Sequence, residues 1–375
     1  MIALQTQLGG YGSWKGGGVS NSNRISIIFG GKSPEYSASL ESFRHVREVM
    51  QSSREFDIDY VYYVNRENKV AIVPHRPGDA VDDYPRRADV MPYWLALAQM
   101  TARQTFVLNL LHGNYGEDGC IQGAASMMSI PGTFGPVLPA SLAMSKYHMS
   151  RYVAEAHPRA RMPRTLILSD GDLEVADRKI AEAFSEGDIV VKPNSLGASL
   201  FTHRYAMRRE VGDAVRDNLA EILEYDRHAL VQEYIAGDEY SVGCFQENDA
   251  VTVLPVVKIE TEEGFFGHAQ KHQHGKVREA VVLNDNEITR TLKKLSVDIF
   301  RGVGFKNMCR FDFIVSRDEG IVFLEANPIP GLMKNSIFPK MLAAVDLNLV
   351  DMVRQFRKNY FSEKNRKSFL EYSID

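Results

Sequence analysis

Apolar residues fall in short runs divided by polar, glycine-bearing segments, a pattern that predicts strands alternating with helices. The first run, Ile25-Ser26-Ile27-Ile28-Phe29, leads into Gly30-Gly31-Lys32-Ser33 and then into helical periodicity over residues 37–50. Strand, glycine turn and helix open a doubly wound α/β unit, in which helix N-termini hold anions. Residues 57–64 and 105–111 read as further strands of this unit, with an amphipathic helix over residues 93–100 between them. The last strand feeds His112-Gly113-Asn114-Tyr115-Gly116-Glu117-Asp118-Gly119, a polar loop at a carboxyl strand end. Such ends are where α/β folds place ligands; the plain alternative is a βα turn in which His112 caps a carbonyl.

Pro131-Gly132 marks a break, and a smaller unit starts near Gly135. It is expected to hold a helix over residues 141–157, with Lys146 one turn in, a strand over 165–168 and a helix over 173–184. Ile189-Val190-Val191 then delivers Lys192 into the small-residue loop Pro193-Asn194-Ser195-Leu196-Gly197-Ala198-Ser199. A lysine leaving a buried strand beside backbone N–H groups is a phosphate-binding device, with a solvated surface lysine as the alternative. A strand over residues 229–233 is expected to open a third unit, and a helix over 347–360 to close it. The chain therefore divides into a flexible Gly/Ser-rich leader (1–23) and α/β parts over 24–134, 135–231 and 232–375.

Residues 308–315 and 320–324 are apolar runs separated by Ser316-Arg317-Asp318-Glu319, the pattern of a hairpin. Asp312 lies inside the first run, and Glu325 and Asn327 end the second. Positions i and i+2 of a strand face the same way, so Glu325 and Asn327 converge while Asp312 reaches them from the neighbour. Two carboxylates and an amide oxygen suit Mg²⁺, which binds through a few such groups plus substrate phosphates. A solvated strand edge is the alternative, but Asp and Asn are poor strand residues.

Composition narrows the rest. With 375 residues, 44% hydrophobic and 25% charged, and a net charge of −4, the profile is that of an ordinary globular protein of two or three domains. No basic run points to nucleic acid, and no apolar stretch reaches the length of a bilayer span. Cys120, Cys244 and Cys309 are odd in number and outside any CxxC pattern, which argues against disulfides and structural zinc and for a cytoplasmic setting.

Lys146, Lys192, a small-residue loop, Val231-Gln232-Glu233-Tyr234-Ile235 with Glu239, and then Asp312, Glu325 and Asn327 follow the order of the ATP-grasp superfamily. Within it the chain resembles D-alanine–D-alanine ligases from Arg24 to about Phe356. The resemblance rests on Phe29-Gly30-Gly31-Lys32-Ser33-Pro34-Glu35, on Leu111 to Gly119 with Gln122-Gly123, on Leu142-Ala143-Met144-Ser145-Lys146, on Val191-Lys192-Pro193, and on Leu324-Glu325-Ala326-Asn327 with Pro330-Gly331. It implies a Rossmann-like N-terminal domain ahead of a two-subdomain ATP-grasp fold. It further implies that Lys146, Lys192 and Ser199 hold ATP phosphates, Glu233 lies at the adenine hinge and Glu239 meets the ribose. Asp312, Glu325 and Asn327 would coordinate two Mg²⁺ ions, with Mn²⁺ as a substitute. Glu35 and His112 would orient the first amino acid, Arg310 and the Gly331 N–H would form the oxyanion site, and Ser336 would hold the acceptor carboxylate. Small-molecule amino acids are the implied substrates and a homodimer the implied assembly.

The loop after Lys192 departs from the family. It usually carries an acidic residue and two serines, where this chain has Leu196, Ala198 and Ser199. One such serine joins the N-terminal glutamate and a tyrosine of a mobile loop, whose counterpart here is His272, beside Lys271. Glu35 thus keeps neither family partner, which points to drift in a cell-wall ligase or to a rebuilt acceptor pocket, with Lys271 and His272 on the acceptor side. His268, His272 and His274 have metal-like spacing, but no Cys or carboxylate accompanies them, so a substrate-facing loop is the better reading. The expected activity is an ATP-dependent carboxylate–amine ligase; the rivals are a depsipeptide-forming relative and a non-catalytic nucleotide-binding protein.

Overall fold

The computed structural model describes residues 23–206, 212–261 and 277–362. The leader, apart from Asn23, and Lys271 and His272 lie outside the described residues. Three sheets carry the rest. The first contains β1 (Arg24–Gly30), β2 (Asp57–Val64), β3 (Lys69–Pro74), β4 (Met91–Pro92) and β5 (Phe106–Asn109), in the order β4-β3-β2-β1-β5. β2, β1 and β5 run parallel, as expected of a doubly wound unit, and the helix Tyr36–Ser53 crosses from β1 to β2. β3 and β4 are additions that turn back antiparallel at the edge. They escape the sequence pattern because β3 follows β2 through a tight turn, where the Asn65 side chain accepts the N–H groups of Glu67 (3.1 Å) and Lys69 (2.8 Å).

The second sheet contains β6 (Thr165–Leu168), β7 (Asp188–Pro193), β8 (His203–Ala206) and β9 (Ala229–Glu233), antiparallel in the order β6-β9-β7-β8. β9 was expected to open the third unit; it is an interior strand of the second, because its buried run needs β6 and β7 on either side. The third sheet holds β10 (Asp238–Glu247), β11 (Ala250–Val253), β12 (Val256–Thr261), β13 (Val277–Val282), β14 (Met308–Ser316) and β15 (Gly320–Asn327). Its order is β13-β12-β10-β14-β15, with β11 also on β10.

The single helix expected over residues 141–157 is two helices, Val137–Met144 and Lys146–Ala156. Ser145 separates them in an extended conformation and caps the second by accepting the His148 N–H. Lys146 is therefore the first residue of a helix, not one turn inside it. The helix expected over 173–184 is likewise a 3-10 turn, Asp170–Val175, followed by Ala176–Ala183.

Packing does not follow chain order. Met149 and Val153, from the helix after Ser145, share a core with Phe311, Phe313 and Phe323 of the third sheet. The helix Leu349–Ser362 packs Met352, Val353 and Phe356 into the core of the first sheet beside Ile25, Phe29 and Phe43.

Candidate active site

β14 and β15 form the expected hairpin, with Asp312 opposite Glu325 and Arg310 opposite Asn327. Opposite residues of an antiparallel pair face the same side. The intervening Phe311 and Phe313 are fully buried in the core, so these four polar residues share the other face. Asp312 accepts from Ser241 Oγ (2.6 Å), Arg310 Nε (3.0 Å) and Nη2 (2.9 Å), and Asn327 Nδ2 (3.1 Å). Burial weakens the Arg310 guanidinium's hold on its proton, but the neighbouring Asp312 and Glu325 more than reverse this and push its pKa up.

Two lysines meet this face from separate elements. Lys146 Nζ donates to the Leu196 carbonyl (2.7 Å) and lies 3.6 Å from Glu325 Oε2. Lys192 is pushed down to about 8 by burial and by the charge of Lys146, against the pull of Glu325 and Glu239. Lys146, Lys192, Glu239 and Glu325 thus converge, as the sequence order implied. The loop after Lys192 is clamped at both ends. Ser195 donates its N–H and hydroxyl to Asp226 (2.6 and 2.9 Å), and Phe201 stacks on Tyr225 with centroids 5.4 Å apart. Between them Ala198 and Ser199 sit in the left-handed region, with φ of 56° and 55°.

On β9, strand parity puts Gln232 and Glu233 on opposite faces. Lys192 is opposite Leu230 and Val190 opposite Gln232, whereas Glu233 is opposite Ile189. Gln232 therefore shares the Lys192 face and Glu233 the opposite one. There the Glu233 carboxylate pairs with Arg161 (2.9 Å) and accepts the Arg164 N–H (2.7 Å). Thr165 spends its one proton on the Pro163 carbonyl (2.8 Å), so it accepts from Gln232 Nε2 (2.8 Å). Gln232 Oε1 is left as the acceptor on the lysine side. Counting residues back along β9 from Glu233 would have found it.

Glu35 has company other than the expected hydroxyls. A Cβ on Gly197 would sit 2.7 Å from its carboxylate carbon, and one on Gly113 (φ +67°) 2.8 Å from Oε1. Both positions need glycine for this close approach. His112 is pushed down to about 4 by burial, so its imidazole is neutral. Glu117, not singled out by sequence, is a buried carboxylate whose pKa is raised by burial and by Glu35. Ser336 precedes the helix Ile337–Ala343, its Oγ 3.1 Å from where a Cβ on Gly331 would lie.

Models for the N-terminal and C-terminal parts of D-ala D-ala ligase match residues 24–133 and 172–357. The chain belongs to the D-alanine–D-alanine ligase family. A D-alanine–D-alanine ligase of Clostridium beijerinckii is 30% identical, over 67% of this chain and 80% of that one. The vancomycin C-type resistance protein VanC2 of Enterococcus casseliflavus is 28% identical, over 88% of this chain and 97% of its own length. The VanG D-Ala:D-Ser ligase of Enterococcus faecalis superposes with a TM-score of 0.72 at 23% identity, covering 91% of this chain and 100% of that one. Those folds are ATP-grasp, and so is this one. Like its family, the protein is an ATP-dependent ligase that forms a peptide bond.

D-alanine–D-alanine ligases generally use ATP and Mg²⁺, and the donor set fits. Asp312, Glu325 and Asn327 offer hard oxygen atoms on one strand face next to two lysines. Among the described residues no helix is long and apolar enough to cross a membrane.

Proposed function

We propose that the protein activates the carboxylate of one amino acid with ATP and joins it to the amine of a second. The convergence of Lys146, Lys192, Glu239 and Glu325 on the Asp312 face carries this reading. The lysines face the triphosphate, Gln232 faces the base, and Glu239 is assigned to the ribose. Asp312, Glu325 and Asn327 would hold two Mg²⁺ ions, which when bound offset charge on the phosphate oxygens.

The first substrate's carboxylate attacks the γ-phosphorus, releasing ADP and leaving an acyl phosphate. Glu35 faces that substrate's ammonium. The second substrate's amine then attacks the acyl carbon, and charge gathers on the carbonyl oxygen between Arg310 and the Gly331 N–H. Phosphate leaves as the carbonyl re-forms, and the amine's proton is lost to solvent. Ser336 is assigned to the acceptor's carboxylate.

A second reading concerns the acceptor. Ala198 stands where the family has a hydroxyl, and a structural neighbour is a D-Ala:D-Ser ligase. Both favour an acceptor other than D-alanine, either a larger or hydroxylated D-amino acid or a hydroxy acid. We place the reaction in the cytoplasm, where free amino acids and ATP are found, and expect a homodimer, which light scattering would test. The deciding experiment is phosphate release across D- and L-amino acids and hydroxy acids, with products identified by mass. We expect release with a D-amino acid donor, and a D-alanine pair that is not the best. Release independent of any added amino acid overturns the ligase reading; D-alanyl-D-alanine as the preferred product overturns the second.

A further inference from the structure

The loop after β15, Ile329-Pro330-Gly331-Leu332, is gripped from both sides by the first sheet's unit. Upstream of Gly331, the Ile329 N–H donates to Glu117 Oε1 (3.1 Å), and the other Glu117 oxygen accepts the Gly113 N–H (2.7 Å). Downstream, the Leu332 N–H donates to Ser42 Oγ (3.3 Å), and the Leu332 carbonyl accepts from His45 Nδ1 (2.7 Å). His112 closes the ring. Its Nε2 lies 3.1 Å from Ser42 Oγ, and its Nδ1 lies 3.9 Å from Glu117 Oε2.

The directions of the bonds to backbone groups are determined, because an N–H donates and a carbonyl accepts. A neutral imidazole has one donor and one acceptor nitrogen. Either the Ser42 hydroxyl or an Nε2–H is the donor between Ser42 and His112. Ser42 Oγ keeps a lone pair for the Leu332 N–H. Pro330 has no N–H, so this segment has three backbone donors. Two are engaged, and among the described residues the Gly331 N–H between them has no acceptor. Ser42, His112 and Glu117 are all buried, so water does not compete for these bonds.

We infer that Glu117, Ser42 and His45 are positioning residues that aim the Gly331 N–H at the reacting carbonyl oxygen, so that one unit supplies the donor and another its direction. This rests on the oxyanion role proposed above for Gly331. It assigns work to His112 within the protein, as the hydrogen-bond partner of Ser42, in addition to any contact with substrate.

The two half-reactions separate positioning from general damage. Scrambling of oxygen label between the β,γ-bridge and non-bridge positions of ATP, with donor amino acid and no acceptor, reports reversible acyl phosphate formation. Dipeptide formation reports amine attack, the step in which the oxyanion develops. In Ser42→Ala and Glu117→Gln we expect scrambling within about twofold of wild type and dipeptide formation down about tenfold or more. His45→Ala, on a half-buried position, should show the same split at about threefold, and it keeps the test alive if a buried variant fails to fold. Equal loss of both half-reactions, or loss of neither, overturns the inference. A wild type that shows neither half-reaction with any amino acid overturns the ligase reading itself.

Discussion

The β14–β15 hairpin and the loop after Lys192 are both proposed to line the cleft, and they are built by opposite means. In the hairpin, alternation decides everything: Phe311 and Phe313 go to the core, and Arg310 and Asp312 must therefore face the cleft. Asp312 accepts from three partners, so its carboxylate has almost no freedom. The loop has no such frame. Ala198, Ser199 and Phe201 adopt left-handed conformations, each costing about 1–2 kcal/mol for a residue with a Cβ. The bonds to Asp226 and the stack on Tyr225 offset that cost from outside. The groups assigned to metal and oxyanion sit on the sheet, and the residues that depart from the family pattern sit on a segment whose shape depends on its neighbours.

The comparison breaks if the hairpin tolerates change. Glu325→Gln should lower turnover by about a thousandfold with little effect on thermal stability, since a half-exposed anion facing the lysines is lost. Near-normal phosphate release would remove the hairpin from the metal site. Arg310→Ala should cost about a hundredfold in turnover while ATP binding, measured by calorimetry, persists. It should also lower stability by about 3 kcal/mol in denaturant unfolding, because Asp312 is left buried without its cation. ATP affinity lost with turnover intact would make Arg310 a nucleotide ligand.

Lys192 joins the two regions and sharpens the contrast through pH. Its folded pKa, about 8, lies below the ordinary lysine value, so the free enzyme loses this cation as pH rises through 8. Then kcat/KM for ATP should fall on that alkaline limb, and Lys192→Arg, which stays charged, should flatten it. An unchanged limb in the arginine variant would assign it to another group. The smallest effect is expected of Tyr225→Ala. Removing a stack worth about 1 kcal/mol should raise the KM for ATP about fivefold and leave kcat nearly unchanged. A loss as large as that of Glu325→Gln would erase the distinction between frame and loop.

What the sequence revealed follows the same division. The hairpin was legible because period-two alternation carries its own geometry, and the meeting of Lys146, Lys192 and Glu325 followed from motif order. Glu233 and Gln232 differ by one position, and only the pairing of β9 with β7 tells which of them faces the lysines. The break at Ser145 was hidden because a serine inside an apolar pattern reads as helix until Asn194, which bonds to it, is placed beside it. Glu117 looked like one polar residue of a loop; its role needs Ile329, far along the chain. Ser42 and Leu332 are 290 residues apart, and nothing local to either announces the bond.

The helix Leu349–Ser362 also sets an order of events in time. It supplies Met352, Val353 and Phe356 to a core whose other members include Ile25, Phe29 and Phe43, which lie far earlier in the chain. β1 and its crossover helix must wait with an apolar flank uncovered while the second and third sheets are made. Contacts between such distant segments form late and slowly, and the waiting surface is open to aggregation. A nascent chain therefore carries an open seam along its first unit until that helix emerges.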